Sequence, residues 1–277
     1  MQRLTPSSHP ANRRQLPGKT RLDRLAAVAC LAKRGYLLLS PFSGTICVGS
    51  LRGSDLNPKI SKPVIVATDL IVVDPEQPRP EAIGRAAAAI RRGEIVAIPT
   101  DALYTLVADP FNLRAVGRVF AAKGREEHRS LPILVSDFLM AKDLTSELSS
   151  RFYLLARRFW PGPLAIILPA SARIPLKVTG NTGRLALRQS RAKVAGALLE
   201  HLGQPLIATS ANISGQPTCR SGIETFVILD GRIDLVLDGG TVAGTWATTV
   251  DITEPYWRLI REGAIPEKEI AECLKQS

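Results

Sequence analysis

Three short segments carry most of the polar chemistry in this chain. Lys123-Gly124-Arg125 places two cations either side of a glycine. Thr209-Ser210-Ala211-Asn212-Ile213-Ser214-Gly215 packs hydroxyls and an amide into seven residues, and Thr100-Asp101-Ala102-Leu103-Tyr104 does much the same after a proline. Arg188 and Arg261 each close an apolar run, Leu185-Ala186-Leu187 and Leu259-Ile260. Desolvated phosphate oxygens demand charge-assisted hydrogen bonds, which Lys supplies as a point charge and Arg as a planar fork. Hydroxyl, amide and backbone N–H groups at a strand end suit a phosphate or a carboxylate. Each of these types also has a plain structural use. Lys123 and Arg125 suit a solvated surface pair, Ser210 and Asn212 a turn after a strand, and Tyr104 a core aromatic with a satisfied hydroxyl. Covalent catalysis has no signature here: there is no Gly-x-Ser-x-Gly elbow, no Cys–His pairing and no zinc-ligand spacing around His9, His128 or His201. Asp101 and His128 are not assigned acid–base roles.

Strands and helices must bring these segments together. Ile95-Val96-Ala97-Ile98 is a β-branched apolar run between Gly93 and Pro99 and reads as a buried strand, with Pro99 ending its ladder. Its exit delivers Thr100 to Tyr104 to a strand end, where open α/β sheets bind ligands. Leu113, Val116 and Phe120 then mark a helical face, with Asn112 as N-cap and Gly124 permitting the turn that presents Lys123 and Arg125. Helices are expected over 81–92, 149–159, 193–202 and 266–274. Strands are expected over 131–135, 164–168, 184–188, 205–208 and 235–238, the 205–208 strand running into Thr209 and Ser210.

The chain of 277 residues is long enough for one or two domains, and no window approaches the roughly 18 apolar residues of a membrane span. The four cysteines are widely spaced, which fits reduced thiols in a cytoplasmic protein. Residues 1–62 hold 11 Lys and Arg against Asp23 and Asp55, so they carry +9 of the total +11 and the rest of the chain only +2. The basic balance therefore says little about what the folded part binds. Residues 1–78 are expected to be a disordered or dispensable extension, with an organelle-targeting peptide or a nucleic-acid arm as other uses. Pro17-Gly18-Lys19-Thr20 fails as a phosphate loop, because Arg13 stands where a glycine is needed.

Pro99-Thr100-Asp101-Ala102-Leu103-Tyr104-Thr105-Leu106, Lys123-Gly124-Arg125, Trp160-Pro161-Gly162-Pro163-Leu164-Ala165, the Thr209–Gly215 run, Thr248-Thr249-Val250-Asp251 and Leu259–Ile265 occur in one order along residues 81–274. In that order they resemble the motifs of the YrdC-like family, the threonylcarbamoyl-AMP synthases. Ala102 and Ala165 stand where the family usually has Thr, and Thr105 where it usually has Gly. The resemblance implies an α/β fold, a twisted open mixed sheet with flanking helices and a concave ligand groove, over a catalytic domain of residues 79–277 of the short, single-domain type. It implies a nucleotidyltransferase joining L-threonine, bicarbonate and ATP into threonylcarbamoyl-AMP and pyrophosphate, for the threonylcarbamoyl modification of adenosine 37 in tRNA. Lys123 and Arg125 would be catalytic and, with Ser210, Asn212 and Arg261, would bind ATP. Thr100, Tyr104, Arg188 and Thr248 would bind threonine. Magnesium is expected to arrive with ATP rather than in a protein cage. The implied partners are the downstream threonylcarbamoyl-transferase machinery and possible tRNA or double-stranded RNA, with no membrane. Two other readings stand beside this one: an RNA-binding or ribosome-maturation factor, and a carbamoyl-adenylate step in hydrogenase maturation.

Overall fold

In the computed structural model, residues 67–275 are described. The strands are β1 (Asp69–Val72), β2 (Val96–Ile98), β3 (Thr105–Ala108), β4 (Ile133–Leu134), β5 (Leu164–Pro169), β6 (Arg184–Arg188), β7 (Leu206–Ser210), β8 (Leu235–Asp238), β9 (Thr248–Asp251) and β10 (Arg258–Arg261). The helices are α1 (Pro80–Arg91), α2 (Leu113–Lys123), α3 (Phe138–Leu144), α4 (Ser150–Phe159), α5 (Leu176–Thr179), α6 (Lys193–Leu202), α7 (Gly222–Leu229) and α8 (Glu267–Leu274). The strands join in one open mixed sheet, ordered β1-β8-β2-β3-β7-β4-β6-β5-β9-β10.

Strand alternation sorts side chains onto two faces. On one face Ile133, Leu164, Ile166, Leu168, Leu185, Leu187 and Val250 enter the larger core, which Val116, Val119 and Phe120 of α2 and Phe152 and Leu155 of α4 complete. On the other face α1 and α6 lie side by side and bury Ile83, Ile90, Leu198 and Leu199 against Val96, Ile98, Val107, Leu206, Leu235 and Leu237. That second layer stops short of β6, β5 and β9. The residues those strands turn to the same face are mostly short or polar, Ala165, Ala186, Arg188 and Thr249, with Ile167 the one larger apolar side chain among them. Short side chains under no helix leave a trough.

The expected ends of α2 are realised. Asn112 accepts from the backbone N–H of Arg114 and Ala115, and Gly124 adopts φ 56°, the left-handed conformation that glycine tolerates. Leu113, read as part of the buried face, is instead exposed; Ala115, Val116, Val119 and Phe120 form that face. Among the strands not anticipated, two alter the fold as read. The chain turns back after Pro99 and forms β3, which pairs with β2 and, along its own length, with β7, through Thr105 opposite Ser210. The second is β1. It pairs in parallel with β8, and the Thr68 hydroxyl donates to the Ile233 carbonyl at 2.6 Å. The folded unit thus begins upstream of the boundary expected at residue 79. Composition misplaced it because β1 is a four-residue edge strand whose partner lies far along the chain. The remainder of the expected extension, residues 1–66, falls outside the described residues.

Candidate active site

The Lys123 corner and the Ser210–Asn212 turn meet directly. The Lys123 ammonium donates to the carbonyls of Ser210 (2.5 Å) and Asn212 (2.9 Å) and to Asn212 Oδ1 (2.9 Å), and its own carbonyl accepts from Ser214 N–H. Three acceptors match the three N–H bonds of an ammonium. Burial, and then the charge of Arg125, pull this amine down to about 7. Ser210 Oγ donates to Asn212 Oδ1 at 2.7 Å, while the Asn212 amide N–H groups go to the carbonyls of Ile213 and Gln216. Lys123 and Asn212 are buried and do not line the adjoining cavity; Ser210 does. The lysine and asparagine therefore shape the turn that the serine presents.

The cavity, of about 470 Å³, occupies the uncovered sheet face. Arg125, Arg129, Arg188 and Arg261 line it with Thr100, Thr105, Thr209, Ser210 and Thr249, and no carboxylate does so among the described residues. Ladder register explains part of this convergence: Thr249 lies opposite Ala165 on one side and Arg261 on the other, and Arg188 lies opposite Leu134. Arg125 donates to the Ser130 carbonyl at 2.9 Å and leaves its Nε buried without a partner. Burial lowers the affinity of Arg125, Arg188 and Arg261 for their protons; the charge of Arg129 adds to this at Arg125, and that of Arg188 at Arg261. Guanidinium groups stay charged through such shifts, so clustered, partly desolvated cations favour an anionic occupant. Asp101, outside the wall, holds Arg188 at 2.5 Å and also accepts from Ser190. Thr100 spends its hydroxyl on the turn, donating to the Leu103 carbonyl and accepting from the N–H of Ala102 and Leu103.

Besides Lys123 and Asn212, two more of the expected ligand residues, Tyr104 and Thr248, do not line the cavity. Tyr104 is fully buried; its hydroxyl donates to the Gly240 carbonyl (2.8 Å) and accepts from Gly239 N–H (3.0 Å), and burial pushes the phenol's pKa up. Thr248 is equally buried, donating to the Ile265 carbonyl and accepting from the N–H of Gly263 and Ile265. Both hydroxyls pin one chain segment to another. Thr105 and Thr249, one residue on in each motif, take the places on the cavity wall. Period-two alternation could have found Thr249, since neighbours on a strand face opposite sides. Trp246 had no sequence signal, and Ile260 figured only as part of the Leu259–Ile265 motif. Ala102, Thr105 and Ala165, which depart from the motif pattern, all line the cavity. His128 is exposed and lies 3.4 Å from Glu126.

An open mixed sheet flanked by helices, with a trough on its uncovered face, places the chain in the class of α/β proteins. Within it, the chain belongs to the Sua5/YciO/YrdC family: that family's model, described as telomere recombination, matches residues 88–263. A threonylcarbamoyl-AMP synthase of Pyrococcus abyssi is 38% identical over 190 residues, 68% of this chain and 56% of the relative. One of Bacillus subtilis is 34% identical over 209 residues, 75% of this chain and 59% of the relative. The crystal structure of Pyrococcus abyssi Sua5 complexed with L-threonine superposes with a TM-score of 0.72 at 36% identity, covering 75% of this chain and 61% of that one. The chain thus spans somewhat over half the length of these relatives. Among the described residues no helix is long and apolar enough to cross a membrane.

Proposed function

We propose that this chain makes L-threonylcarbamoyladenylate from L-threonine, bicarbonate and ATP, as a nucleotidyltransferase serving the modification of adenosine 37 in tRNA. The observation that carries the reading is the convergence of Arg125, Arg188 and Arg261 with the hydroxyls of Thr209, Ser210 and Thr249 around one cavity. Relatives named as synthases of this product, and a related structure holding L-threonine, support it. Threonine's amine adds to bicarbonate and water leaves, giving a carbamate. A carbamate oxygen then attacks the α-phosphorus and pyrophosphate departs. Neither step calls for a protein nucleophile. Both call for anions held together with their charge offset, which is a task for fixed cations and dipoles.

In this assignment Arg125 and Ser210 hold phosphate oxygens, with Lys123 and Asn212 fixing the Ser210 turn behind them. Arg188, steadied by Asp101, takes the threonine carboxylate, and Thr100 and Thr249 line the same subsite. Arg261 faces the nucleotide. The cavity's hydroxyls and guanidinium groups do not fit a protein-held Mg²⁺, and no group of three His, Cys, Asp or Glu among the described residues could hold one. The ion would travel on the phosphates and water.

Incubating the protein with ATP, bicarbonate and labelled threonine should yield a labelled adenylate and pyrophosphate in equal amounts; pyrophosphate release indifferent to threonine would overturn the assignment. Arg125→Ala should slow threonine-dependent pyrophosphate release by roughly 10- to 100-fold or more, the cost of one charge-assisted phosphate contact.

A further inference from the structure

One wall of the cavity is left free by the phosphate and amino-acid contacts. Trp246 and Ile260 are 38% and 53% exposed, and both line the cavity that the arginines line. Large apolar side chains left facing water in a concave site, beside clustered cations, mark a ligand contact. The indole is also held still. The Arg261 guanidinium lies over it, 4.4 Å from the ring centroid, and is itself tied to the Ala247 carbonyl and to Thr249 Oγ1. The backbone beneath is equally fixed. The Trp246 carbonyl accepts from Ala264 N–H at 2.8 Å, and Gly244 N–H donates to the Ala102 carbonyl at 2.9 Å. A Cβ on Gly263 would come within 2.2 Å of the Trp246 carbonyl oxygen, so only glycine lets the segment after β10 press this close. Orienting a ring this firmly at a cavity edge, with apolar surface still open, suits a flat partner.

We propose that Trp246 is the nucleobase platform of this site: the purine of the nucleotide stacks on the indole surface that Arg261 leaves open, with Ile260 closing the edge. The proposal rests on the nucleotide reading above. An amphiphilic ligand, anionic at one end and flat and apolar at the other, matches a cavity with cations and hydroxyls along its floor and an aromatic at its rim. Threonine alone does not, because its side chain is too small to cover an indole and carries a hydroxyl. Every base has a π-face, so the platform should favour purine over pyrimidine nucleotides by stacking area rather than by hydrogen-bond pattern.

Calorimetric titration of the full chain with ATP, CTP, inorganic tripolyphosphate and threonine tests this. Trp246→Ala should weaken ATP binding about tenfold or more and leave tripolyphosphate and threonine binding unchanged. Trp246→Phe, which keeps a π-face, should bind ATP more tightly than Trp246→Leu, which keeps only apolar bulk and guards against a folding defect in the alanine variant. ATP binding at wild-type strength by Trp246→Ala overturns the platform and leaves the nucleotide reading standing. Parallel loss of ATP and tripolyphosphate also overturns it, since the damage would then lie in the cavity as a whole. A wild-type chain that binds no ATP at all removes the nucleotide reading itself.

Discussion

Lys123 is the residue whose behaviour the site constrains most tightly. Its ammonium is enclosed by three carbonyl-type oxygens, yet burial and Arg125 bring its pKa to about 7 rather than the usual 10.5. A polyphosphate bound beyond Ser210 would favour the charged form. Above pH 7, ATP binding should therefore take up protons, and affinity should fall as pH rises from 7 towards 9. Calorimetry in buffers of different ionisation enthalpy would read the uptake, and Lys123→Met should abolish it. Stability follows the opposite sign. Between about 7 and 10.5 the unfolded chain holds a proton on this lysine that the folded chain lacks, so wild-type stability climbs with pH there, by at most ~1.4 kcal/mol per unit. That climb should be missing from denaturant melts of Lys123→Met. The corner itself was legible in the sequence because its cause is local: a helical face, an Asn cap and a glycine at the exit. That the lysine supports the turn instead of touching the cavity was not legible, since depth below a surface depends on what packs around it.

Thr248 and Thr249 make the same point for an element. They are adjacent on β9, and alternation sends the first to the packed side and the second to the cavity. Thr248→Val leaves the buried N–H of Ile265 and the part-buried N–H of Gly263 without an acceptor and should cost about 2–4 kcal/mol, read as a lower denaturation midpoint, while ligand affinity in the surviving folded protein stays near wild type. Thr249→Val should do the reverse, holding the midpoint within about 0.5 kcal/mol of wild type and weakening threonine-dependent turnover. Motif matching could not separate them, because it locates a segment without saying which way each residue points. The missed strands have a related cause. All four residues of β3 are buried, so no alternation marks it, and a short apolar run after a proline and a turn carries no period of its own. The strands that were legible, such as β2 and β6, are bounded by glycine, proline or arginine.

At the scale of the molecule the site is a consequence of incomplete coverage. α1 and α6 roof one half of a sheet face, and the ligand trough is the half they leave bare. No local pattern encodes that; it follows from which strands lie under which helices, and so from pairings such as β1 with β8 across more than 160 residues. Every described residue lining the trough falls between Thr100 and Arg261, so what β1 supplies is stability of the sheet, not chemistry. β1 supplies it by covering the outer edge of β8 and by the bonds of Thr68 to Ile233 and Gly231. A chain beginning at Ala67 should therefore melt and bind ATP as the full chain does. A chain beginning at Arg79, the boundary that composition suggests, should expose the β8 edge, melt several degrees lower and scatter light on warming, because an uncovered strand edge templates further pairing. Thermal melts followed by light scattering would compare the three chains. Equal melting of the Arg79 chain would mean that β1 is an ornament on the sheet, and that the helices alone hold the trough in shape.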